Sequence, residues 1–111
     1  MARRAYRLTV QPRSGVTWHV QRETLDGRVW TFRWYTSAID DAWFLDVVSD
    51  AGETVSGIPV TGGPPPSLDL LAPYRASGVP PGSIVVQSKR DRDPTREDFA
   101  SGEAVAWYVG V

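Results

Sequence analysis

Two neighbouring runs constrain the fold more than any other stretch of the chain: Trp30-Thr31-Phe32-Arg33-Trp34-Tyr35 and Trp43-Phe44-Leu45-Asp46-Val47. Together they hold three of the five tryptophans and two of the three phenylalanines. Trp30, Phe32 and Trp34 alternate with Thr31, Arg33 and Tyr35. Trp43, Leu45 and Val47 alternate with Phe44, Asp46 and Val48. Period two is the signature of strands with one buried face. Rings of this size need a core to fill, so the two runs read as a β-hairpin onto which the remaining segments fold. The expected fold is all-β: a small antiparallel barrel or sandwich with one or two short helical turns.

The flanking segments support this reading. Residues 5–10 alternate, with Tyr6, Leu8 and Val10 on one side, and Pro12, Ser14 and Gly15 break the pattern. Residues 16–22 alternate again, with Val16, Trp18 and Val20 on an apolar face and Thr17, His19 and Gln21 on a polar one. Asp26-Gly27 marks a type I′ turn, whose two central residues both need positive φ. A strand over residues 54–60 is weakened by Gly57 and Pro59, which place it at an edge or a bend. Ser67 reads as the cap of a short helix over residues 68–72, with Leu68 and Leu71 on one side and Pro73 stopping it. Pro81 and Gly82 suit the centre of a type II turn before Ile84-Val85-Val86. Asp93-Pro94, or Thr95 with Asp98, would start one helical turn anchored by Phe99. Residues 103–111 close the chain as a strand.

The chain has 111 residues, which suits one β domain over 1–111, with 1–15 as an edge strand or an arm. At 41% hydrophobic and 11% aromatic it can build a core without staples. Twelve Lys and Arg against 13 Asp and Glu leave a net charge of −1, so no basic stripe argues for nucleic acid. There is no cysteine and one histidine, so neither a disulfide framework nor a zinc site is expected. No apolar run is long enough for a membrane-spanning helix. Met1-Ala2-Arg3-Arg4 is basic but no long apolar run follows, so it does not read as a signal peptide, and folding in the cytoplasm is expected.

Candidate chemistry is sparse. His19 has no serine or cysteine at a motif spacing and reads as a surface histidine. Asp40-Asp41 read as turn residues, and Asp46 as the cross-strand partner of Arg33 rather than half of a carboxylate pair. Asp91-x-Asp93 lacks the rest of a calcium loop and sits among Lys89, Arg90 and Arg92. Gly62-Gly63 runs into Pro64-Pro65-Pro66 rather than into a helix, so it forms no phosphate cradle. Trp18, Trp30, Trp34, Trp43 and Trp107 read mainly as core; exposed tryptophans would instead make the chain a carbohydrate-binding β module. No catalytic, cofactor-binding or metal-ligating residue is assigned, and no cofactor is expected.

The order of signals also resembles a known family. Arg33-Trp34-Tyr35 is followed by Trp43-Phe44-Leu45-Asp46-Val47, the turn Asp50-Ala51-Gly52, Gly57-Ile58-Pro59-Val60 and Leu70-Leu71-Ala72-Pro73-Tyr74. Then come Pro80-Pro81-Gly82-Ser83-Ile84-Val85-Val86, Asp93-Pro94-Thr95-Arg96-Glu97-Asp98-Phe99 and Val105-Ala106-Trp107-Tyr108-Val109. From about the Asp26-Gly27 turn to the end, this series is similar to the phage baseplate plug family. The resemblance implies a non-enzymatic structural protein of a contractile tail, in the hub or spike region at the distal end of the tail tube. It implies a place in the virion after assembly in the host cytoplasm, in several symmetric copies. Partners would be other baseplate, hub, spike or tail-tube proteins. With loops and edges as the contact surfaces, the residues expected to meet partners are Tyr6, Leu8, Pro64, Pro65, Pro66, Arg90, Asp91, Arg92 and Asp93.

Overall fold

The computed structural model describes residues 5–37, 39, 41–62, 69–90 and 92–110. Its strands are β1 (Ala5–Leu8), β2 (Trp18–Leu25), β3 (Arg28–Thr36), β4 (Trp43–Val48), β5 (Thr54–Pro59), β6 (Ser83–Ser88) and β7 (Ala104–Val109). A 3₁₀ turn covers Ala72–Ser77, and one short helix, α1, covers Asp98–Ser101. The strands form two antiparallel sheets, ordered β2-β3-β4-β5 and β1-β7-β6, so the fold is all-β.

The tryptophan face of the hairpin is the centre of the core. Trp30, Phe32, Trp34, Trp43, Leu45 and Val47 are all buried, and they share one cluster with Leu8, Ile84, Val86, Ala106 and Tyr108 of the other sheet. Small residues at Ala104 and Ala106 leave room opposite the large rings, as close packing of two sheets requires. Phe99 meets Trp43 edge to face at 5.7 Å and so ties α1 to the core. Trp43 Nε1 donates to the Thr95 carbonyl at 3.0 Å, which satisfies the indole where it would otherwise be stranded.

The Asp26-Gly27 turn forms as the sequence indicates, with φ of 51° and 82°. It pairs Leu25 with Arg28, so odd positions of β2 stand beside even positions of β3. With Trp30, Phe32 and Trp34 inward, the inward residues of β2 are Glu23, Gln21 and His19. Trp18 and Val20 therefore point outward, which reverses the expected apolar face. The strand also starts and ends later than the expected residues 16–22. Gln21 and Glu23 are engaged, with Trp34 Nε1 donating to Gln21 Oε1 at 2.9 Å and Gln21 Nε2 donating to Glu23 Oε1 at 3.0 Å, while Trp30 Nε1, opposite Glu23, is buried with no hydrogen-bond partner among the described residues.

Gly57 and Pro59 do lie in an edge strand, and the β4–β5 register shifts beside them. Three other expectations are corrected. Pro73 does not stop a helix over residues 68–72 but opens the 3₁₀ turn, where its missing N–H costs nothing. Ser67 and Leu68 lie outside the described residues, while Leu71 is fully buried. Asp93 and Pro94 do not start the helical turn, which begins at Asp98, and Asp93 instead accepts the Gly62 N–H at 3.2 Å; of the alternative, Thr95 with Asp98, the Asp98 carboxylate does accept the Thr95 N–H at 3.0 Å. Gly82 is not among the residues at positive φ, so the type II turn does not form. Glycine is needed there for space instead. A Cβ would lie 2.3 Å from the Val109 carbonyl oxygen and 2.6 Å from the Tyr108 ring.

Gly82→Ala is therefore expected to lower the unfolding free energy by about 1–3 kcal/mol, the cost of forcing a methyl group against backbone. Chemical denaturation of the two proteins measures it. An unchanged midpoint would show that the 80–83 segment moves aside freely.

Candidate interaction surfaces

No group of three or more His, Asp or Glu side chains comes together among the described residues in a way that could hold a metal ion. Among the described residues no helix is long and apolar enough to cross a membrane. The carboxylates singled out in the sequence do structural work. Asp46 stands opposite Arg33, but its Oδ1 accepts the Tyr35 hydroxyl and the Gly57 N–H, each at 2.9 Å. That arrangement pins the β5 irregularity, and no Arg33–Asp46 ion pair forms among the described residues. Asp41 accepts the Arg96 N–H at 2.8 Å, and Asp40 lies outside the described residues. His19 is half-buried on the inward side of the β2 edge, opposite Trp34.

The expected contact residues separate into distinct environments. Tyr6 is 41% exposed on the edge strand β1, its ring tilted against Tyr108 at 6.4 Å. Leu8 is only 3% exposed and belongs to the core, because β1 pairs with β7 and sets Leu8 beside the buried Ala106 on the inner face of the second sheet. Its side chain is not offered to a partner in this fold. Arg90 extends into solvent with a loose approach to Glu103 at 3.7 Å. Arg92 reaches the buried Asp98 at 3.3 Å, and Asp93 is engaged by Gly62, so both hold the loop in shape. Pro64, Pro65, Pro66 and Asp91 lie outside the described residues.

The polar groups at the two ends of the core clamp the sheets together. Tyr108 of β7 donates its hydroxyl to Asp26 at 2.7 Å and accepts the Gly82 N–H at 2.8 Å. Burial, followed by the bond to the Asp26 carboxylate, raises the Tyr108 pKa far above its ordinary value. Arg75 donates to the Pro80 carbonyl at 2.6 Å, to the Gly82 carbonyl and to Asp69, which fixes the approach to β6. At the other end a cavity of about 270 Å³ lies between residues 7–12, α1 and β7. Gln11 beside it is already committed, donating to the Val16 carbonyl and Glu97 and accepting from the Ala100 N–H.

A surface missed in the sequence lies on the outer face of the four-stranded sheet. Among the described residues five large apolar side chains are exposed, and three share this face: Trp18 at 66%, Val20 at 43% and Val29 at 43%. The register lines Trp18, Tyr35, Phe44 and Pro59 in one row across all four strands, with Tyr35 stacked on Phe44 at 5.9 Å. Beside that row runs a groove of about 480 Å³ lined by Val20, Arg22, Val29, Thr31, Arg33 and Val48. The signal was available: the two-residue turn and an inward Trp30 together force Trp18 outward.

A family model described as cyanophage baseplate Pam3 plug gp18 matches residues 7–110 of this chain. A comparison with curated proteins finds no match.

The tyrosine clamp predicts an alkaline instability. The folded-state pKa of Tyr108 lies above its unfolded value of about 10, so its contribution is complete below pH 10 and is lost as pH rises towards the folded value. Ionisation would set a phenolate against Asp26. Tyr108→Phe is expected to cost about 1 kcal/mol at neutral pH and to flatten the decline above pH 10 relative to the native chain. Unfolding free energies measured across that range test both effects.

Proposed function

Because the chain belongs to the cyanophage baseplate plug family, we propose that it is a structural plug at the distal end of the tube of a contractile tail, close to the central spike. Family membership makes it a baseplate component of the virion tail that associates with other baseplate proteins. The match over residues 7–110 is the observation that carries the reading. The geometry suits it: the polar groups described above serve the fold, and the distinctive free features are edges and faces. Such surfaces hold a part in place by buried area rather than by turning over a substrate.

On this reading the chain acts as one β domain, present in several symmetric copies and assembled in the host cytoplasm. The edge strand β1 with Tyr6, together with Arg90, Asp91 and the run Pro64 to Pro66, meets hub, spike or tail-tube proteins. Arg92 and Asp93 shape the loop that presents Arg90. A non-enzymatic role follows from the same membership. The carbohydrate-binding alternative retains one strongly exposed tryptophan, Trp18, since Trp30, Trp34 and Trp43 are buried.

Density for this chain in cryo-microscopy of intact tails is expected inside the baseplate at the end of the tube; density at the neck or capsid would overturn the reading. Arg90→Glu is expected to lower incorporation into tails with no change in melting temperature, because the side chain is solvated and weakly paired. Quenching of tryptophan fluorescence by a glycan panel would favour the carbohydrate reading instead.

A further inference from the structure

The strand β2 places Trp18 and Val20 in solvent and His19, Gln21 and Glu23 towards the core, with Leu25 buried at its end. Trp18 and Val20 would gain by burial, and a partner can supply it. The adjoining groove joins three valines, Val20, Val29 and Val48, to two arginines, Arg22 and Arg33. The register pairs Arg22 with Thr31 and Val20 with Arg33, so the two guanidinium groups are diagonal neighbours on one face. Neither has a carboxylate partner among the described residues. The nearby acids are already used, Asp46 by Tyr35 and Gly57 and Asp50 by Arg28 at 2.7 Å.

We propose that the outer face of β2 and β3 docks a segment of a different tail protein that presents one or more carboxylates to Arg22 and Arg33 and apolar side chains to Trp18, Val20 and Val29. This rests on the baseplate reading and adds a second surface by which the plug is held. The charge balance selects the occupant. Two uncompensated guanidinium groups in a valine-lined groove suit a carboxylate flanked by apolar residues, since Arg binds carboxylates through paired N–H groups. A second copy meeting this face about a twofold axis would set arginine against arginine. Nucleic acid would need a longer basic track than these two arginines. Trp, Tyr and Arg are also the residues that carry most binding energy at protein interfaces.

The test replaces Val20 by photoreactive p-benzoylphenylalanine in otherwise native tails and sequences the crosslinked product. The expected product joins Val20 to another tail protein within a few residues of an Asp or Glu. Arg22→Glu combined with Arg33→Glu should cut that product by roughly tenfold while the melting temperature holds, and a carboxylate-to-Lys change in the partner should restore it. A product with nucleic acid, a product with a second copy of the chain, or no product in tails that contain the chain overturns the proposal. So does a double variant that crosslinks like the native chain. Tails that lack the native chain altogether would overturn the baseplate reading first, and this surface with it.

Discussion

Two consecutive residues at positive φ, Asp26 and Gly27, govern more of this fold than their size suggests. A two-residue turn allows one register, and in a strand pair the register decides which side chains share a face. Once Trp30, Phe32 and Trp34 are buried, every other position of β2 is assigned as well. Asp26 then does a second job, because its carboxylate receives the Tyr108 hydroxyl from the other sheet. The turn that sets the hairpin is thus also the point where the two sheets are latched. Gly82 completes the latch by letting backbone approach the tyrosine ring, a contact that any side chain would block.

This coupling separates what the chain uses to fold from what it leaves available. The inner faces are filled, and the polar groups near them include bonded pairs, Gln21 with Trp34 and Thr95 with Trp43, while Trp30 Nε1 is buried with no hydrogen-bond partner among the described residues. Much of the charge that looked like an interaction loop is also spent internally, with Arg92 on Asp98 and Asp93 on Gly62. The outer face of the four-stranded sheet is different. On it, Trp18 is strongly exposed, and Arg22 and Arg33 form no ion pair among the described residues. For a baseplate component, whose function is to remain seated among neighbours, a solvated face of Trp18, Val20 and Val29 is where a partner would gain most by burial.

The sequence by itself determined the all-β class, the buried hairpin of Trp30, Phe32, Trp34, Trp43, Leu45 and Val47, the turn at Asp26-Gly27, the irregular edge strand at Gly57 and Pro59, and the anchoring of Phe99. Each of these rests on local chemistry: alternation, turn conformation, a missing N–H or a large apolar ring. The resemblance to the plug family was likewise carried by the order of local signals. The outward turn of Trp18 and Val20 stands between sequence and tertiary structure, since the Asp26-Gly27 turn and an inward Trp30 imply it, but only when β2 and β3 are read as a pair. Only the tertiary structure decided the rest. It buried Leu8, engaged Asp46 with Tyr35 rather than Arg33, and made Gly82 a matter of space rather than of φ. Those outcomes depend on residues far apart in the chain meeting at a few ångströms, and alternation within one strand carries no information about its neighbour.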